Sequence, residues 1–285
     1  MTAKHAGEVR IGVSGWRHAP WRGVFYPAKL PQKRELTYCA AVFPTVEING
    51  SFYSLQRPSS YRSCRDETPA DFVFALKGSR FITHMLKLRN VEIALANFFA
   101  SGLLALGPKL GPILWQLPPN FSFRADVLEG FFNLLPRTVQ QAADLATGHD
   151  LRLAGRSFVE PEMDGPVRHA IEIRHKSFVS EEFIALLRTH GIALVCADTV
   201  EWPLLIDVTR TSFTVACMGR RRCTPAVTMI ARSINGPNGW SLGRRAESAR
   251  GSMQVRSRRR NPKGAMFMCT STTTRRCGLL MMRRA

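Results

Sequence analysis

At 285 residues the chain can hold one large domain or two small ones, and an α/β barrel needs about 250. Its apolar fraction of 45% suits a globular core, and no apolar run approaches the ~20 residues of a membrane helix. The net charge of +19 is unevenly spread: residues 1–210 carry 24 Lys/Arg against 20 Asp/Glu, whereas residues 211–285 carry 16 against a single acid, Glu247.

Short β-branched or apolar runs alternate with helical stretches, the pattern of βα units on a parallel sheet. In chain order the strands are predicted at 9–16 (VRIGVSGW), 45–50 (TVEING), 72–78 (FVFALKG), 112–119 (PILWQLPP), 169–175 (HAIEIRH) and 192–198 (IALVCAD). Helices are predicted over 33–43, 91–106, 124–135 and 180–190, with a weaker one over 58–69. Ser180 is placed as an N-cap with Glu181 and Glu182 in the first turn, and Gly191 as a left-handed C-terminal cap. Six βα units by residue 200 point to a (β/α)₈ barrel with two units to come. After residues 202–209 the text loses clear period and becomes rich in Arg, Cys, Met and Thr. The expectation is therefore a barrel domain over 1–210, incomplete because strands seven and eight are lost, followed by a basic, disordered tail over 211–285.

The N-terminus lacks an apolar stretch of signal-peptide length. The seven cysteines contain no Cys-x-x-Cys pair, which argues against a zinc ribbon or a redox motif. Free thiols fit a cytoplasmic location, and no membrane partner is expected.

Strands of a parallel barrel are covered by helices outside, so a charged residue within one faces the interior, near the end where ligands bind. Glu47 and Asn49 share one parity, as do Glu172 and Arg174. Lys77 and Asp198 end their strands, Gln116 is embedded in ILWQLPP, and Ser14 and Trp16 close the first strand. Glu47 and Glu172 are two carboxylates on separate strands, suited to acid/base work. Lys77 and Arg174 suit a phosphate or carboxylate. His84 and His175 add ligand or proton-transfer capacity, though no HxH or HExxH spacing supports a metal site. Trp16, Trp21, Phe52, Tyr53, Phe81 and Phe121 offer aromatic walls. The bland alternative is a set of structural pairs, Glu172–Arg174 and Glu47–Lys77. No P-loop, GxGxxG or GxSxG occurs, so nucleotide-fold and serine-hydrolase readings fall away.

The stretches IGVSGWRHAPWRGVFYP, TVEINGSFYSL, FVFALKGSRFITHMLKL, GPILWQLPPNF, HAIEIRHKSF and ALVCADT together resemble the YecE-like family, domain of unknown function 72, over residues 9–209. The resemblance implies a bacterial, cytosolic TIM-barrel protein with no established activity and no known cofactor. Matched by motif, the family-typical positions are Glu47, Asn49, Tyr53, Lys77, His84, Gln116, Glu172, Arg174 and Asp198. The family continues past DVT with strands reading like D-F-V-Y-V-R-L-H-G and V-Y-V-Y-F-D-N-D, which this chain lacks. Read one frame over, the codons of Met266–Thr274 permit the second motif and those of Arg210–Gly219 permit most of the first. The tail thus reads as out of frame from about residue 210.

The favoured function is a small-molecule site, sugar-like or anionic, with Glu47 and Glu172 catalytic and the other seven residues binding. The alternatives are a metal-dependent phosphodiesterase-like barrel acting on nucleic acid, and a non-catalytic binding module. The near-neutral balance of residues 1–210 weighs against nucleic acid, whose phosphates call for a basic stripe.

Overall fold

A computed structural model of the chain describes residues 8–198, 203, 205, 207, 209, 212–217 and 227–232. The chain divides into two compact units, Met1–Gly239 and Trp240–Ala285. The second unit, with much of the expected basic tail, lies outside the described residues.

Six strands form a curled, all-parallel sheet: β1 (Glu8–Ser14), β2 (Thr45–Ile48), β3 (Val73–Lys77), β4 (Leu110–Gln116), β5 (His169–Glu172) and β6 (Ala193–Asp198). Each corresponds to a predicted strand and is shorter than it. The helices on the outside are α1 (Glu35–Val42), α2 (Gly50–Tyr53), α3 (Pro58–Asp66), α4 (Glu92–Ala100), α5 (Ala125–Leu134), α6 (Val139–Ala146) and α7 (Glu181–His190).

Local chemistry sets their ends. The Ser180 hydroxyl accepts from the Phe183 amide at 3.2 Å, and Gly191 closes α7 in the left-handed region at φ 58°. The helix predicted over 91–106 stops at α4, because Gly102 turns the chain at φ 108° and a Cβ there would lie 2.5 Å from the Pro58 Cα. Residues 103–109 then continue as 3₁₀ turns. Helix α6 was not expected. Its sequence signal is the capping box of Thr138 and Gln141, a Thr-x-x-Gln pair ahead of an apolar face.

Two separate apolar clusters follow from strand parity. Val46, Ile48, Phe74, Leu76, Ile113, Trp115, Ile171 and Leu194 face the helices and join one large core with Phe98, Phe131 and Phe183. The opposite parity gives a small inner cluster of Leu114, Ala170, Ala193 and Val195. Leu114 and Ala170 lie two residues before Gln116 and Glu172, so the inner cluster forms a floor beneath the polar strand ends.

Two further strands lie beyond residue 210, and they correct the expectation that 211–285 supplies none. Strand β7 (Ser212–Cys217) runs parallel to β6, and β8 (Val227–Arg232) runs antiparallel to both β7 and β1. The sheet is closed in the order β1 to β8. SFTVAC and VTMIAR carry Val, Thr, Ile and Phe, residues enriched in strands. The closure also departs from a regular (β/α)₈ barrel, since the eighth strand is antiparallel to its neighbours.

Candidate functional site

The C-terminal strand ends gather most of the polar side chains that alternation predicts to point inward. Register places Ser14 beside Glu47 and Gln116 beside Glu172 on neighbouring strands. Both pairs are in contact.

Glu47 is 4% exposed and is held by the Ser14 hydroxyl, which donates to Oε1 at 2.7 Å. The amide of Asn49 donates in turn to the Ser14 oxygen at 2.9 Å. Ser14 is placed by the turn that follows: Gly15 sits at φ 75°, where a side chain would be strained. The Asn49 Oδ1 is buried with no hydrogen-bond partner. Burial pushes the Glu47 carboxyl well above the ordinary carboxylate range and Glu172 adds repulsion, against the opposing pull of Lys77 and Ser14. The Glu47–Lys77 ion pair weighed as a structural alternative does not form. Lys77 acts on Glu47 through space, and its ammonium lies over the Phe52 ring, 5.1 Å from the centroid.

Glu172 is 1% exposed and fully engaged. The Gln116 amide donates to both its oxygens at 2.8 and 2.9 Å, and two nitrogens of the Arg174 guanidinium reach Oε1 at 2.8 Å. The Glu172–Arg174 pair weighed as a structural alternative is therefore real, and it fixes the guanidinium at the strand end.

After β3 the chain enters a π-turn, Phe81–Met85, that carries His84 inward. Three non-glycine residues close behind it, Lys87, Leu88 and Asn90, adopt positive φ of 50–65°. The His84 ring meets Phe52 edge-on at 5.2 Å, and its Nδ1 is 2.8 Å from the Thr83 hydroxyl. Burial lowers the readiness of His84 to protonate, and Arg174, Arg80 and Lys77 lower it further. Tyr53, 70% exposed, packs edge-on against Phe52 and forms the outer aromatic wall.

Of the nine positions singled out, eight have described side chains in this region. Asp198 ends β6 beside Cys217 of β7, but its side chain lies outside the described residues. Other expectations dissolve into structure. His175 caps the turn that follows, bonding the Ser177 amide and hydroxyl. Phe121 is core, stacked on Phe178, and Trp16 and Trp21 pack against the same core. Sequence reasoning passed over Arg80, which follows Lys77 within the stretch KGSRFITH; the signal was a cation just past a strand end. It also passed over Ser14 as a partner of Glu47. Among the described residues no group of three or more His, Cys, Asp or Glu side chains is arranged to hold a metal ion.

A cavity of about 370 Å³ lies elsewhere, lined by Phe132, Leu135, Pro136, Arg137, Gln141 and Leu145. The Pro136 carbonyl accepts from His169 at the start of β5, so this cavity is at the opposite strand end and touches none of the candidate residues.

A family model described as "Protein of unknown function DUF72" matches residues 10–260. The chain belongs to the DUF72 family. The match runs past residue 209, where the resemblance read from the motifs ends. Among curated DUF72-type relatives, UPF0759 protein YecE of Escherichia coli (strain K12) is 29% identical over 133 residues, 44% of this chain and 46% of that protein. UPF0759 protein YunF of Bacillus subtilis (strain 168) is 27% identical over 123 residues, 41% and 43% of the two chains. The chain thus spans less than half the length of the curated relatives it matches. A solved DUF72 family protein from Thermotoga maritima superposes with a TM-score of 0.54 at 26% identity, covering 70% of each chain. One from Enterococcus faecalis gives 0.50 at 16% identity, covering 70% of this chain and 66% of its own, a likeness of fold alone. Among the described DUF72 residues no helix is long and apolar enough to cross a membrane.

Proposed function

We propose that this DUF72 chain binds a small polar molecule, sugar-like or anionic, at the C-terminal strand ends and acts on it by acid–base chemistry. The curled parallel sheet is read as kin to the (β/α)₈ barrels, which hold their ligands at this end. Glu47 is the proton donor. The observation that carries this is its burial without an ion-pair partner among the described residues, which raises the carboxyl above its ordinary value despite the Ser14 hydroxyl, as a general acid requires. Ser14 spends its one hydrogen on Oε1, so the acidic proton of a neutral Glu47 sits on Oε2. His84, held neutral by its surroundings, is the complementary acceptor.

Glu172 takes a different part from Glu47. Its oxygens are already occupied by Gln116 and Arg174, so it orients the guanidinium toward negative charge on the ligand. Tyr53 and Phe52 give the ligand body an apolar face.

A metabolite panel read by thermal shift tests the reading. A stabilising ligand is expected whose turnover disappears in Glu47→Gln and whose affinity falls in Arg174→Lys, which keeps the charge and loses the fork. A ligand bound and converted equally by the wild type and both variants would exclude the assignment.

A further inference from the structure

Among the described side chains, the cations at the strand ends outnumber the carboxylates paired with them. Among the described residues neither Lys77 nor Arg80 has a carboxylate within ion-pair distance. Glu172, the one carboxylate paired with a cation there, is matched to Arg174. The position of Lys77 is built rather than accidental. It is the last residue of β3, half-buried, with its ammonium over Phe52, and the next residue is Gly78, where a Cβ would come within 2.3 Å of the Trp115 ring. Only glycine lets the chain turn there against the core. The exposed Arg80 follows two residues later, and Lys77, Arg80 and Arg174 are all near enough to His84 to oppose its charging.

We propose that this cluster is a subsite for a phosphomonoester, its dianionic phosphoryl group held by Lys77 and Arg80 and its organic body against Tyr53. The inference rests on the reading of the strand ends as a small-molecule site and names the ligand class that reading left open. Two cations without a carboxylate partner among the described residues match the charge of nearly two that a phosphomonoester carries at neutral pH, and a monocarboxylate would leave one cation unmet. The Lys77 ammonium is a compact point charge with rotatable donors, and Arg80 adds a planar fork, a pairing suited to a tetrahedral oxyanion. The exposed Tyr53 ring beside Phe52 fits one short organic body, and residues 1–210 lack the basic excess that a polymer of phosphates requires.

The test uses the full chain with inorganic phosphate and methyl phosphate as probes, titrated at ionic strength held constant with potassium chloride. Saturable stabilisation by both probes is expected, with affinity falling about tenfold in Lys77→Met and in Arg80→Gln, as the loss of one charge-assisted contact would give. Arg80 is exposed, so Arg80→Gln carries the test should Lys77→Met fail to fold. Glu47→Gln separates this proposal from the acid–base reading, because it removes no cation and is expected to bind phosphate while losing turnover. The proposal is overturned if acetate or chloride stabilises equally, or if Arg80→Gln binds phosphate as the wild type does. It is equally overturned if Glu47→Gln loses phosphate as Lys77→Met does. A short single-stranded oligonucleotide that displaces phosphate at lower concentration than methyl phosphate does would also overturn it in favour of a nucleic-acid ligand.

Discussion

Arg174 meets Glu172, two residues before it at the end of β5, through one carboxylate oxygen: the guanidinium Nε and Nη2 both lie 2.8 Å from Oε1, with the carboxylate 1% exposed. Removing one partner of a buried pair leaves a charge without compensation. Arg174→Ala is therefore expected to destabilise the fold by about 3 kcal/mol, Gln116 alone being a weak substitute. The double variant Arg174→Met with Glu172→Met should recover most of that loss. Urea denaturation of the three proteins checks it, and additive losses in the double variant would contradict the coupling.

Glu47 makes stability depend on pH in a defined direction. Its folded value lies above the ordinary 4.5, so between the two values the folded state binds more protons than the unfolded chain. Stability is then fully present below pH 4.5 and declines as pH rises toward the folded value. Glu47→Gln removes this decline, so its melting temperature should gain on the wild type as pH rises above 4.5. His84 runs the other way. Its folded value is below the ordinary 6.5, so stability is present above pH 6.5 and is lost as pH falls toward the folded value. His84→Asn should flatten that limb alone, and parallel melting curves for wild type and variants across the range would refute both signs.

His169 illustrates a polar residue whose place is structural. Buried at 1% exposure, it accepts from the Trp115 indole at 3.1 Å and bonds the Pro136 carbonyl at 2.7 Å with its other nitrogen. His169→Ala is expected to cost about 2–4 kcal/mol through an orphaned indole N–H and a cavity. Phosphate affinity at the far strand end should not change. Equilibrium unfolding and a phosphate titration on the same variant check the pair of outcomes.

The closing strand offers a direct test of the sheet. Ile230 is paired with Arg10 on one side and Thr214 on the other, so Ile230→Pro removes a backbone donor between two ladders. Faster hydrogen exchange in β1 and a loss of about 3 kcal/mol or more are expected. Unchanged protection of β1 would mean that β8 contributes nothing to closure.

The out-of-frame reading of the tail gives a fifth expectation. A chain in which the frame is restored after residue 210, so that the V-Y-V-Y-F-D-N-D motif is translated, should melt higher and more cooperatively than the chain as written. Equal melting temperatures would sink that reading.

Local alternation of apolar and polar residues was enough to place the six parallel strands, because it is legible without knowledge of neighbours. The sequence by itself determined the inward parity of Glu47, Gln116 and Glu172 for the same reason, and the ends of α7 through Ser180 and Gly191. Tertiary structure decided the rest. Register alone set Ser14 against Glu47 and Gln116 against Glu172, turning two like carboxylates into one buried acid and one fully engaged ion-pair partner. Packing sent His175 to a turn and Phe121 to the core, since a ring's type does not say which surface will cover it. Closure by β7 and β8 was hidden because composition around a short strand says little about pairing. A strand's partners lie far along the chain, and only the closed sheet brings them within hydrogen-bond reach.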